Sequence, residues 1–94
     1  MTENILTELF RVIEDRKANP KPNSYTCYLL EHGRDHIREK LREELEELLH
    51  ARKEEEIIWE AADLIYHLLV YLASNEVSWS KVEKELRRRR REGR

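Results

Sequence analysis

Apolar residues return along this chain at the spacing of helices, not of strands. In residues 4–17, Ile5, Leu6, Leu9, Phe10, Val12 and Ile13 recur every three or four positions, which gives a helix one apolar face. Pro20 and Pro22, in "KANPKPNS", stop that pattern. Ser24 stands where an N-cap belongs, ahead of the short run "YTCYLLEH", and Gly33 follows as a natural helix end. Two longer helices are expected, over roughly 34–52 and 54–74. "ASNEVS" reads as a turn. Ser78 is the expected N-cap of a last helix from Trp79, with Val77 and Val82 spaced as a hydrophobic staple. That helix is expected to fade into a partly frayed "RRRRREGR". No segment keeps up strand alternation. The pattern predicts an all-α bundle of four to five helices, forming one domain over 1–94.

Two of these helices carry acids where apolar side chains belong. On a wheel started at Ile37, Leu48 falls at about 20°, Leu41 at about 40° and Leu45 at about 80°. Glu44 falls at about −20°, inside that stripe, and Glu47 at about −80°, on its shoulder. Glu43 lies further round, and Glu46 faces solvent. The stretch "IIWEAADLIYHLLVYLA", 57–73, is apolar on nearly every side, so it is expected to be buried. Its polar stripe is narrow: Glu60, His67 and Asp63 fall at about −60°, −80° and −120° from Ile57.

Buried carboxylates stay ionised only when cations or many donors face them. Two helices that each aim a pair of acids inward, Glu44 with Glu47 and Glu60 with Asp63, can gather four oxygen donors at one place. Such a set suits a hard divalent cation, Mg²⁺ or Mn²⁺, with positions left for phosphate oxygens. For Glu46, Glu54, Glu55 and Glu56 a solvated helix face is the better reading.

Composition narrows the class. The chain has 94 residues, is 40% charged, has only 2 Gly and 2 Pro, and carries a net charge of −2. Near-neutrality points away from nucleic acid and from anionic membrane surfaces as partners. The 57–73 run is slightly short for a membrane span and holds three ionisable groups, which lipid would penalise. Cys27 is the only cysteine, so neither a disulfide framework nor a cysteine zinc site fits within one chain. The N-terminus has early acids and no small-residue cleavage site, so a cytoplasmic protein is expected. A chain this short buries a modest core alone, which leaves room for oligomerisation.

"SYTCYLLEHGRDHIREKLREELEELLHA", with "EAADLIYHLLVYLA" and "VSWSKVEKELRRR", resembles the phosphoribosyl-ATP pyrophosphohydrolase family of histidine biosynthesis. That family sits within the MazG-type all-α nucleotide pyrophosphohydrolases. The resemblance runs from about Pro20 to Arg89. Its acidic signature, E-E-x-x-E and then E-x-x-D, appears as Glu43, Glu44, Glu47, Glu60 and Asp63. The resemblance implies Mg²⁺-dependent hydrolysis of phosphoribosyl-ATP to phosphoribosyl-AMP and pyrophosphate, carried out by a homodimer. It implies metal-ligand roles for Glu44, Glu47, Glu60 and Asp63, with Glu43 as support or an added ligand. It also implies a phosphate contact for Lys40. The family commonly has Gly where this chain has Arg42, and Lys at an upstream basic position where this chain has His36.

Glu47 and Glu44 are the candidate catalytic groups, with water attacking the α-phosphorus. Ser24 and Cys27 have no paired base in the sequence pattern, so no covalent nucleophile is expected. Lys40, His36 and His67 are the candidate substrate-binding groups, and a core histidine is the competing reading of His67. Tyr25 and Tyr28 are candidates to cover a base or ribose, against a simple packing role. His32 and His36 have the spacing of a zinc clip, but Gly33 between them breaks the helix it would need. Trp59 is expected to pack at an interface. The Arg87–Arg91 run is expected to be solvated, with a minor part in attracting anionic substrate. Two other readings stand beside the first: a house-cleaning pyrophosphohydrolase acting on other nucleotides, and a helical dimerisation module without catalysis.

Overall fold

The computed structural model describes residues 4–93, and none of them lies in a strand. Five helices follow one another: α1 (Ile5–Ala18), α2 (Tyr25–His32), α3 (Arg34–His50), α4 (Glu54–Ser74) and α5 (Trp79–Arg91). The caps explain several boundaries. The Asn4 side chain accepts from the Leu6 N–H at 2.7 Å, and the Ser24 hydroxyl accepts from the Cys27 N–H at 3.2 Å, each satisfying a first-turn donor. Ser78 holds the N-cap position of α5, but its hydroxyl lies 3.0 Å from the Ser80 hydroxyl and caps no backbone N–H.

Gly33 is the whole connection between α2 and α3. Its φ of 88° and ψ of 174° lie in a region open essentially to glycine alone. One residue therefore ends one helix and starts the next, which sets the angle between them.

The long pair α3 and α4 makes the most extensive contact in the molecule, as a helical hairpin closed by residues 51–53. α1 and α2 wrap one end of it. There Phe10 and Ile13 of α1, Leu29 of α2, Ile37 of α3 and Leu69, Val70 and Ala73 of α4 form the buried core. Fully burying side chains of this kind contributes roughly 1.5–3 kcal/mol each. Lys17 ties the same end together by donating to the Ala73 carbonyl at 2.8 Å.

The other end of the hairpin has no helix over it. Leu45 and Leu49 of α3, and Ile57 and Ile58 of α4, are exposed there, and Ile65 and Leu68 continue the exposed apolar side along α4 to the level of the core. The expectation that 57–73 is buried is therefore half right. A single partner, α3, covers only one side of α4 at that level, and Trp59 is 61% exposed. By length and composition α4 also passes for a membrane span.

α5 packs against α1 and keeps its helix through Arg91, further than the expected fraying. Ion pairs one turn apart support it: Arg87 with Glu83 at 3.2 Å, Arg88 and Arg89 with Glu85 at 2.6 and 2.9 Å, and Arg88 with Glu92. Arg88, Arg89, Arg90 and Arg91 also lie in the last turn, where the helix dipole favours cations.

Core and surface substitutions should separate cleanly. Leu69→Ala, at a site 1% exposed, should cost about 2–5 kcal/mol. Ile5→Ala, at a site 68% exposed, should stay within about 0.5 kcal/mol of wild type. Urea unfolding midpoints at constant slope measure both.

Candidate active site

α3 and α4 bring Glu44, Glu47 and Glu60 together, with one carboxylate oxygen from each lying within 4.8 Å of the others. Glu44 is 7% exposed, as its wheel position inside the leucine stripe requires. Two oxygens of the group, Glu44 Oε2 and Glu60 Oε2, are buried without any hydrogen-bond partner. Buried polar atoms are almost always paired, so two orphaned acceptors side by side mark a place for a positive group.

No side-chain cation of the chain fills that role among the described residues. Lys40, whose charge reaches Glu44, is bonded to Glu43 at 3.0 Å. The acids respond to their own crowding. Burial lifts the Glu44 carboxyl above its usual range, and the charges of Glu47 and Asp63 lift it further, against the His67 and Lys40 charges. Glu60 is pushed up to about 7, first by a hydrogen bond with the Glu47 carboxyl, then by lost solvation and the neighbouring acids. An all-oxygen, electron-rich cluster with unpaired lone pairs fits a hard divalent cation.

The other proposed ligands stand further out. Asp63 is exposed and falls outside the tight group, although its charge reaches Glu44 and Glu60. Glu43 is exposed and paired to Lys40.

His67 is buried, and both of its ring nitrogens are engaged. Nδ1 lies 2.7 Å from the Asp63 carbonyl, and Nε2 lies 2.9 Å from the Tyr25 hydroxyl. The carbonyl accepts only, so it fixes a proton on Nδ1, and Nε2 shares a hydrogen bond with the Tyr25 hydroxyl. Both ring nitrogens are thus bonded within the protein, and His67 ties α4 to α2 beside the acids. Nearby, the Thr26 and Tyr66 hydroxyls make a second α2–α4 bond. Neither contact has a local sequence signal, since the partners are 42 and 40 residues apart.

Beside the acids lies a pocket of about 550 Å³ lined by Tyr25, Tyr28, His36, Lys40 and Glu43. His36 and Lys40 thus share a cavity, as their expected roles require. The His36 Nε2 atom has no hydrogen-bond partner. His32 and His36 have ring centroids 5.0 Å apart, but Gly33 separates their helices, and His32 Nδ1 donates to the Tyr28 carbonyl at 2.8 Å.

A model of the phosphoribosyl-ATP pyrophosphohydrolase family matches residues 6–90, which include every acid of the cluster. The chain is 50% identical over 88 residues to the histidine biosynthesis bifunctional protein HisIE of Pyrococcus furiosus, covering 94% of this chain and 42% of that one. It is 44% identical over 93 residues to a phosphoribosyl-ATP pyrophosphatase of Methanocella arvoryzae, covering 94% of this chain and 98% of the relative. A phosphoribosyl-ATP pyrophosphatase of Listeria welshimeri is 48% identical over 87 residues, covering 90% of this chain and 84% of the relative. The chain therefore spans less than half of the bifunctional relative and most of the other two. With an all-helical architecture and an acid cluster inside the matched span, the chain belongs to the phosphoribosyl-ATP pyrophosphohydrolase family.

Proposed function

We propose that this chain is a single-domain cytoplasmic enzyme that hydrolyses phosphoribosyl-ATP to phosphoribosyl-AMP and pyrophosphate. The observation that carries the reading is the Glu44, Glu47 and Glu60 cluster with its two orphaned buried oxygens, inside the span matched by the family. Mg²⁺ or Mn²⁺ is the cation that the cluster would hold, with Asp63 and Glu43 as outer members of the set. Held by Glu44, Glu47 and Glu60, such a cation would neutralise charge on the phosphate oxygens.

The chain's own residues supply the rest. Glu47, the exposed member of the cluster, accepts the proton of a water that attacks the α-phosphorus. The new P–O bond forms as the bond to the bridging oxygen breaks, and pyrophosphate leaves with the electron pair. Glu44 holds the other side of the site from within the helix pair. Lys40 faces the phosphates from the rim of the adjoining pocket, and His36 lines that pocket further up the helix. Tyr25 and His67 position the α4 acids by fixing that helix against α2. Nucleic acid and membrane are not partners in this reading.

A second copy of the chain is the partner for the bare end of the hairpin. An exposed apolar face of this kind is costly in water and marks an interface.

Wild type with Mg²⁺ should release pyrophosphate from phosphoribosyl-ATP faster than from a panel of other nucleoside triphosphates, and Glu60→Gln should lose at least ~100-fold in kcat/KM. Faster turnover of the panel would replace this reading with a house-cleaning role. No turnover of anything would leave a helical module. In ¹⁸O-water the label should enter phosphoribosyl-AMP.

Metal-free stability should depend on pH through the Glu47–Glu60 pair. The folded pair keeps its proton up to about 7, whereas an unfolded carboxyl loses it near 4.5. The pair's contribution is fully present below about 4.5 and is lost as pH rises through about 7. Unfolding midpoints across that window should fall with pH in wild type and stay flatter in Glu60→Gln. Saturating Mn²⁺ should remove the slope, because binding displaces the proton.

Sedimentation should give twice the 11.5 kDa chain mass for wild type. Ile58→Glu, which places a charge in the bare face, should sediment as a monomer.

A further inference from the structure

We propose that Tyr25 and Tyr28 form the platform on which a purine ring of the substrate lies, with His36 as its side wall, making this pocket a base-recognition subsite. The inference deepens the pyrophosphohydrolase reading and rests on it. Tyr25 and Tyr28 are three residues apart on α2, so they share one helix face. Their rings are nearly parallel, with centroids 6.0 Å apart and planes 16° apart. His36, from the first turns of α3, meets Tyr28 edge-on at 5.6 Å and 81°. His32 rests against Tyr28 at 4.1 Å and helps hold its ring.

Both rings keep open surface, although Tyr25 also bonds His67 and lies against Tyr66 at 6.1 Å. Tyr25 is 47% exposed and Tyr28 is 45% exposed, and both line the cavity of about 550 Å³. Exposed aromatic faces are costly in water and rewarding under another π-system. Leu45 and Leu49, which belong to the bare apolar face, fall about 180° and about 140° away from His36 on the α3 wheel, at about 80° and 120° against about −100°. The two exposed surfaces are therefore different sides of the helix, and a second copy on one leaves the other open.

The cavity also has the right neighbours. Lys40 and Glu43 form its rim, and Glu44, the next residue after Glu43, belongs to the acid cluster. Along α3, His36 lies eight residues before Glu44, roughly 12 Å at 1.5 Å per residue. That separation matches a ligand whose phosphates sit at the acids and whose ring lies further up the helix. A bare polyphosphate would use only the acidic end. A nucleotide would use both.

The test uses two ligands in the presence of Mg²⁺: α,β-methylene-ATP, which resists cleavage at the relevant bond, and tripolyphosphate, which has no base. Calorimetry should show that Tyr28→Ala binds α,β-methylene-ATP about ten-fold or more weakly than wild type, on the scale of one lost base stack. Its affinity for tripolyphosphate should be unchanged, which also shows that the fold and the acid cluster are intact. Tyr28→Phe, which keeps the ring, should bind both ligands like wild type. The platform is overturned if Tyr28→Ala binds the nucleotide as tightly as wild type, or loses both ligands equally. If wild type itself binds neither ligand, the pyrophosphohydrolase reading fails and takes the platform with it.

Discussion

Carboxylates a few ångströms apart repel one another, and each resists losing its water when helices close over it. In this chain the α3–α4 hairpin crowds Glu44, Glu47 and Glu60 together, and it takes Glu44 out of water while Glu60 is half-buried and Glu47 stays exposed. The hairpin withstands that stress because its other end is clamped. Ile37, Leu69, Val70 and Ala73 lock α3 to α4, and α1 and α2 close over them with Phe10, Ile13 and Leu29. The apolar clamp and the acid cluster thus sit at different levels of one helix pair. Stability gathered at the first allows electrostatic strain to be kept at the second, a common arrangement for functional sites.

The division also explains why the surface looks unfinished. A core built from α1, α2 and one half of the hairpin leaves the other half with Leu49 and Ile58 facing water. The acids lie near the boundary between the covered and bare regions. Leu49 lies two residues from Glu47, and Ile58 two residues from Glu60, so the bare face and the acid cluster share the same helical turns.

Much of this was readable from residue order. The bounds of the 54–74 helix match α4, and Glu44 falls inside the leucine stripe and is buried. Both follow from a strict helical period. α3 stops at His50, two residues short of the expected 52, because the chain must reverse through residues 51–53, where Arg52 and Lys53 are good helix formers by local preference. Tertiary closure overrides propensity there. The stripe of Glu60, Asp63 and His67 splits into three fates: clustered, exposed and buried. A wheel gives direction, but it does not reveal that α2 reaches only the His67 level. The Tyr25–His67 bond and the shared pocket of Tyr28, His36 and Lys40 arise from how α2 lies on the hairpin, and no spacing in the sequence encodes that.

That placement depends on Gly33. A joint of a single residue has no slack, so the rotational phase of α2 relative to α3 is fixed by one pair of backbone angles. Adding one residue to α3 between Gly33 and His36 would turn the imidazole by about 100° relative to the tyrosines. The acids further along would keep their own alignment. Lengthening or shortening this elbow would therefore change which side chains face one another across the pocket, and with them the Tyr25–His67 bond that joins α2 to α4.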